Sequence, residues 1–300
     1  TTLGLWVWVR RPLRALVAGV AAMGRGRFDV RVASSGSSEL RYLGQRINEM
    51  ADALGRVEAR RRAEMERARS IQRGLLPCGN HHVSGFDIAT IFLPTDSVGG
   101  DLFDIVELKD GSTLLVIIDV SGHGVAAALC TALLRTVLRH QATQTCDLAR
   151  IAEAMNRELG GITDHGGFAT CFYARLLKDS NEVEYLSAGH DPAFVIRAGG
   201  LKETLARGGF PLGIEEGTIY RYQQARLEPG DRLFLYTDGL HEVFDLNGNP
   251  FGRNRLEDMI FETRSLPPQE QLSVVIRGIR AFQHKNDFAD DVTLLCACRR

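Results

Sequence analysis

Ile117-Ile118-Asp119-Val120-Ser121-Gly122-His123-Gly124 is the stretch that decides how this chain folds. It closes an apolar run that begins at Thr113, so residues 113–119 predict a strand. The strand ends on an aspartate and breaks into glycines, which permit a tight turn and close approach of backbone to a ligand. Asp119 is therefore expected at the rim of a sheet, open to solvent.

Three further clusters repeat the arrangement. They are Gly99-Gly100-Asp101-Leu102-Phe103-Asp104, Tyr236-Thr237-Asp238-Gly239 and Ala289-Asp290-Asp291-Val292-Thr293. Each sets an aspartate where an apolar strand begins or ends. Carboxylates that converge in this way repel one another unless a cation offsets their charge. Oxygen-only ligation suits Mg²⁺ or Mn²⁺ rather than zinc. Two such ions about 3.5–4 Å apart activate a water and stabilise in-line displacement at phosphorus. One Asp-Gly turn alone is weak support, because such turns are common; four clusters in this order carry more.

Around these clusters, β-like runs occupy residues 86–93, 113–119, 168–177, 183–186, 193–197, 231–236 and 292–297. Helical patterns occupy 125–140, 148–159, 256–264 and 269–282. Strands in runs, with helices inserted in the middle and near the end, predict an α+β fold rather than strict β-α-β alternation. No internal repeat is present.

The first 76 residues have a different texture. Leu3-Gly4-Leu5-Trp6-Val7-Trp8-Val9 is apolar and Arg10-Arg11 follow. Seven residues are too few for a span, which needs about 20, but tryptophans followed by paired arginines are how a transmembrane helix leaves the bilayer on its cytoplasmic side. The chain starts at Thr1 rather than a methionine, so residues 1–9 are expected to be the end of a truncated span; a hydrophobic stub of a soluble protein is the alternative. Pro12 suits a helix start, and Leu13, Leu16, Val20 and Met23 follow at spacings of three, four and three. Glycines and the run Ser34-Ser35-Gly36-Ser37-Ser38 read as a flexible connector. A second helix opens near Ser38-Glu39, with Leu40, Leu43, Ile47, Met50 and Leu54 in a heptad seam. The register continues without a skip through Val57, Arg61, Glu64, Ala68, Ile71 and Leu75. Residues 56–73 hold seven arginines and three glutamates, a solvated face first and a contact for anionic lipid or a partner second.

The composition is that of an ordinary globular protein: 44% hydrophobic, 24% charged, net charge −1. That charge gives no argument for a nucleic-acid partner, and none is expected. Six cysteines at 78, 130, 146, 171, 296 and 298 form no C-x-x-C pair. They read as buried free thiols in a reducing compartment, with a C-x-C metal site at Cys296 and Cys298 as the weaker alternative.

Two resemblances gather these features. Residues 10–56 resemble a HAMP domain, which implies a parallel dimeric four-helix bundle relaying motion from membrane to effector through a coiled-coil linker at 57–76. From residue 70 to 298, Gly99-Gly100-Asp101, the segment 119–124, Thr237-Asp238-Gly239 and Asp290-Asp291-x-Thr293 resemble the motif series of the PPM metal-dependent protein phosphatases. The SpoIIE-like, sigma-factor-regulating branch is the better match. Ile71-Gln72-x-x-Leu75-Leu76-Pro77, Ser187-Ala188-Gly189-His190-Asp191-Pro192 and Pro211-Leu212-Gly213 add to it. The resemblance implies a β-sandwich flanked by α-helices over 77–300, holding two Mn²⁺ or Mg²⁺ ions at one edge. Asp119 would bridge the metals, the Val120 carbonyl would help hold one, and Asp101, Asp238 and Asp290 would complete the set, with Asp291 the competitor of Asp290. Asp119 and Asp238 would carry the catalytic role. Water would attack phosphoserine or phosphothreonine directly, without a protein nucleophile. The implied substrate is a phosphorylated STAS-type anti-sigma-factor antagonist; the implied setting is the inner membrane, with the catalytic domain cytoplasmic and the chain a homodimer through its HAMP and linker helices. Larger family members grip the phosphate with an arginine near the first motif, and this sequence has no equivalent.

His123 lies where it could meet substrate or a third ion, and a solvated loop role is equally open to it. His190, in a turn after Gly189, is expected to make a structural hydrogen bond. Ser121 lacks the G-x-S-x-G surroundings of a nucleophile. A sensor histidine kinase is disfavoured because residues 1–80 contain no histidine. A catalytically silent partner-binding module is the remaining rival.

Overall fold

The computed structural model describes residues 6–33, 35–77, 81–83, 85–95, 98–162, 167–205 and 208–300. The chain divides into two compact units, Thr1–Ala68 and Arg69–Arg300.

In the first unit a π-helical turn, Trp6–Arg10, leads into helix α1, Arg11–Met23, with Pro12 in its first turn. Helix α2 is continuous over Ser38–Leu75, so the second heptad helix and the linker are one rod. Leu16, Met23, Val32, Ile47 and Ala51 form a small core. The connector is more ordered than its glycines and serines suggest: Asn48 donates to the Val32 carbonyl at 2.9 Å and accepts the Val32 N–H at 2.9 Å. The heptad seam is split. Leu16, Met23 and Ile47 are buried, whereas Leu13, Val20, Leu43, Met50 and Leu54 are exposed. The arginine run is a solvated face carrying surface ion pairs such as Arg60–Glu64 and Arg61–Glu58. Among the described residues no helix is long and apolar enough to cross a membrane. Of the expected span at 1–9, residues 1–5 lie outside the described residues.

The second unit is built on two sheets. One has six strands in the order β1-β2-β11-β10-β7-β8: His81–Val83, Phe86–Leu93, Val292–Arg299, Arg232–Tyr236, Phe194–Ile196 and Lys202–Thr204. The other has five in the order β3-β4-β5-β6-β9: Asp101–Glu107, Thr113–Val120, Ala169–Leu176, Glu182–Ala188 and Gln223–Arg226. Neighbouring strands pair antiparallel. Side-chain alternation sorts residues between layers. Leu115, Ile117, Phe172, Leu233, Leu235 and Leu295 meet between the sheets. Leu114, Val116 and Ile118 instead face helices α3, Val125–Gln144, and α4, Leu148–Gly160. Phe234, Tyr236, Leu294 and Cys296 face α5, Arg253–Glu262, and α6, Pro268–Gln283. The result is a helix–sheet–sheet–helix sandwich, and β4 reads as an unbroken apolar run because both of its faces are covered.

The expected strands and helices are all present, and among the described residues four further strands occur. β1, β8 and β9 are short polar strands at sheet edges, where one face and one ladder meet solvent. β3 carries two buried aspartates, Asp101 and Asp104, which hid its strand character. Cys171 and Cys296 are buried and the described cysteines are free thiols; Cys78 lies outside the described residues.

Candidate metal centre

Register places the carboxylates. Asp101 and Asp119 sit directly opposite each other on β3 and β4, and Thr170 on β5 sits opposite Asp119 on the other side. Asp119 shares the parity of Leu115 and Ile117, so all three positions face the second sheet. Like charges directly opposite on an antiparallel pair are destabilising, so the pairing of Asp101 with Asp119 needs compensation. The second sheet supplies part of it. Thr237, just after β10, and Thr293, on β11, each donate a hydroxyl to Asp101 Oδ2, at 2.7 and 2.6 Å. Asp238 follows Thr237, and Asp290 and Asp291 immediately precede β11.

The electrostatics record this crowding. Burial pushes the Asp101 carboxyl well above the usual carboxylate range, and the Asp119 charge adds to it. Asp119 is raised to about 7, first by burial and then by Asp238, Asp290, Asp291 and Asp191. Asp238 is raised by burial and by Asp290. Two small clefts flank these groups. One, of about 330 Å³, is lined by Thr95, Val98, Gly122, His123, Ala289, Asp290 and Asp291. The other, of about 150 Å³, is lined by Asp119, Thr170, Gly189, His190, Asp191, Asp238 and Glu242.

Asp290 and Asp291 part company here. Asp291 accepts the Thr95 N–H at 2.8 Å and the Asp101 N–H at 3.4 Å, and its carboxylate fills the space a Cβ on Gly99 would need, 1.9 Å from Oδ2. Asp290 is exposed, lines the larger cleft, and acts electrostatically on Asp119 and Asp238. Asp104, the other acid of the first cluster, faces away, bound by Arg139 at 2.7 Å and Arg135 at 3.2 Å on α3. The Val120 N–H donates to the Gly100 carbonyl at 3.2 Å, and a Cβ on Gly100 would stand 2.6 Å from the Val120 oxygen.

Ser121 Oγ accepts the Phe168 N–H at 3.0 Å and is thereby occupied structurally. His123 is exposed at the cleft lip. His190 is buried, with burial lowering its pKa to about 4, and Asp191 pairs with His241 at 2.6 Å. The structure thus brings Asp101, Asp119, Asp238 and Asp290 to one edge of the sandwich. Asp119, Asp238 and Asp290 line the clefts, whereas Asp101 is buried behind them and not open to solvent as the sequence suggested. Among the described residues no three Asp, Glu, His or Cys side chains close up tightly enough to hold an ion as they stand. The donors are all hard oxygens, and burial together with neighbouring carboxylates raises Asp101, Asp119 and Asp238; that chemistry fits divalent Mg²⁺ or Mn²⁺.

Residues 109–300 match the family Stage II sporulation protein E (SpoIIE). The chain belongs to the SpoIIE family. Its second unit is a SpoIIE-type PP2C phosphatase domain, and residues 6–56 match the HAMP domain. This SpoIIE-family chain is 29% identical over 242 residues to phosphoserine phosphatase RsbU of Bacillus subtilis, covering 80% of the chain and 71% of RsbU. It is 26% identical over 265 residues to protein IcfG of Synechocystis, covering 79% of the chain but 42% of IcfG. The chain therefore spans under half the length of that relative. Among solved structures, the RsbU and RsbW domains of a Mycobacterium tuberculosis protein superpose with a TM-score of 0.62 at 31% identity, over 73% of this chain and 61% of that one. The SiaA PP2C domain of Pseudomonas aeruginosa gives 0.70 at 24% identity, over 81% and 98%; at that identity the likeness speaks for the fold.

Sequence reasoning missed the groups that hold the acids in place. Thr237 and Thr293 were visible as motif members, but their hydroxyls' common target was not. Gln72 was visible as a motif member but its partner, Gly99, was not; Thr170 gave no local signal, because its role depends on register and on partners distant in sequence.

Proposed function

We propose that the chain is a metal-dependent protein serine/threonine phosphatase that hydrolyses phosphoserine or phosphothreonine on a protein substrate. The observation that carries the reading is the meeting of Asp119 from one sheet with Asp238 and Asp290 from the other. Divalent ions bound there would supply Lewis acidity and an acidified water. Asp119, Asp238 and Asp290 would hold them, with Asp101 and the Val120 carbonyl completing the set. Asp101 keeps Oδ1 for this role, since both threonine hydroxyls take Oδ2. Asp291 anchors backbone amides instead, which favours Asp290 as the ligand. Ser121 is occupied by the Phe168 amide and is not offered as a nucleophile, which favours attack by water. His123 shares its cleft with Asp290 and can face the phosphoryl group or the departing hydroxyl.

The substrate we favour is a phosphorylated STAS-type antagonist of an anti-sigma factor, on the strength of family membership and the likeness to RsbU. The exposed apolar residues Leu13, Val17, Val20, Leu43, Met50 and Leu54 support a homodimer through the HAMP helices and the linker. A membrane-linked chain with its catalytic domain in the cytoplasm is the setting that arrangement serves.

Mn²⁺-dependent hydrolysis of an aryl phosphate, with Asp119→Asn as control, tests the chemistry. We expect a metal-dependent rate in the wild type and its loss in the variant. Equal rates would leave the silent binding module as the surviving reading. Release of phosphate from phosphorylated STAS proteins tests the substrate assignment.

A further inference from the structure

The carboxylates of the centre come from two different sheets, so the distance between sheet ends sets the distance between ligands. On the Asp101 side the sheets are tied directly by Thr237 and Thr293. On the Asp119 side the tie is His190. Its Nε2 lies 3.0 Å from the Tyr236 carbonyl, and a carbonyl only accepts, so Nε2 carries the hydrogen. Nδ1 is then an acceptor, and the Thr170 hydroxyl, 2.6 Å away, donates to it. Thr170 is the register partner of Asp119 on the five-stranded sheet. Tyr236 ends β10 on the six-stranded sheet, two residues before Asp238. The imidazole thus connects the neighbour of one carboxylate to the turn that presents another.

The ring is itself held. His190 is 7% exposed, Ser187 Oγ donates to its carbonyl at 3.1 Å, and Pro211 packs so closely on Gly189 that a Cβ there would meet its Cγ at 2.5 Å. Gly189 adopts φ +70, which disfavours any other residue at that turn.

We propose that His190 is a positioning residue of the metal centre, fixing Asp119 relative to Asp238 across the two sheets without touching the ions or the phosphoryl group. This rests on the metal-centre reading above. Outer groups that orient metal ligands typically contribute 10–100-fold in metal affinity, and that is the size of effect at issue.

The test is direct Mn²⁺ binding, by electron paramagnetic resonance of free Mn²⁺, on the full chain. The proteins are wild type, His190→Ala, His190→Gln, Thr170→Val and the Ala/Val double variant, with thermal unfolding in chelator run alongside. His190→Ala should weaken Mn²⁺ binding by about 10–100-fold while remaining folded, and excess Mn²⁺ should restore much of its aryl phosphatase rate. His190→Gln, whose amide can still donate to the Tyr236 carbonyl, should recover part of the affinity. Thr170→Val should weaken binding alone but add little to His190→Ala, because both break one chain. Wild-type affinity in folded His190→Ala overturns the proposal. Should that variant fail to fold, wild-type affinity in both His190→Gln and Thr170→Val overturns it equally. A wild type that binds no Mn²⁺ overturns the metal-centre reading as well, which separates the two failures.

Discussion

Gln72 and Gly99 hold each other by two hydrogen bonds. Gln72 Nε2 donates to the Gly99 carbonyl at 2.7 Å, and the Gly99 N–H donates to Gln72 Oε1 at 3.0 Å. Gln72 lies near the end of α2 and is 6% exposed. Gly99 stands two residues before Asp101 and directly beneath the Asp291 carboxylate. The last turn of the long helix therefore grips the backbone that starts β3, at the point where two of the acidic clusters touch.

Replacing Gln72 with Ala strands a buried N–H and C=O, each costing about 1–3 kcal/mol. We expect Gln72→Ala to lower the melting temperature and to raise the Mn²⁺ concentration needed for half-maximal phosphatase rate. Gln72→Glu keeps the acceptor but turns a carboxylate oxygen toward the Gly99 carbonyl, so it should do no better. Thermal unfolding and Mn²⁺-dependent rates check both, and a Gln72→Ala protein indistinguishable from wild type would remove any role for this contact.

The chemistry was more legible in the sequence than its supports. Asp119 could be read because an apolar run stops at it and glycines follow. Asp101 was likewise read at a strand end, but the course of β3 through Asp104 was not, because Asp104 looks like a surface acid until Arg135 and Arg139 on α3 are seen to pair with it. Asp290 and Asp291 are neighbours with identical side chains, and what separates them is which one meets the amides of Thr95 and Asp101. The heptad seam gave both helices but not which of its residues pack into the small core of the first unit. The edge strands β1, β8 and β9 escaped notice because short polar strands lack the alternation that marks a half-buried one.

Asp104 shows what a buried carboxylate gains from arginines that reach the surface. Its carboxylate is fully buried and takes Arg139 bidentately, with both oxygens at 2.7 Å. Asp104→Ala should destabilise the second unit by roughly 1–3 kcal/mol, since it removes a buried carboxylate's hydrogen bonds while Arg139 keeps access to water and Arg135 is largely covered. Urea unfolding measures this; a change under about 1 kcal/mol, the size of a surface pair, would show that the arginines reach solvent freely.

His190 gives a signed pH dependence. Its folded-state pKa of about 4 lies below the ordinary 6.5 because burial disfavours the charged ring. Between those values the unfolded chain binds a proton that the folded chain refuses, so this contribution to stability is intact above pH 6.5 and is lost as pH falls toward 4. The full effect is on the order of 3 kcal/mol. Subtracting the His190→Gln stability curve from that of wild type isolates it from the acids, whose raised pKa values act in the opposite direction. A flat difference between pH 7 and 4 would contradict the buried neutral ring.

The continuous helix Ser38–Leu75 makes a geometric prediction about signalling. One residue inserted near Arg61 turns everything beyond it by about 100°, whereas seven restore the heptad register. Activity in membranes should change with the first insertion and return with the second. Equal activity in both would make the linker a passive tether.

The central claim, that aspartates from two sheets share divalent ions, is tested most directly by anomalous diffraction from Mn²⁺-soaked crystals. The account predicts two peaks at the edge of the sandwich, within bonding distance of the Asp119, Asp238 and Asp290 carboxylates, and their loss in Asp119→Asn. Peaks elsewhere on the molecule, or none in the wild type at saturating Mn²⁺, would contradict it.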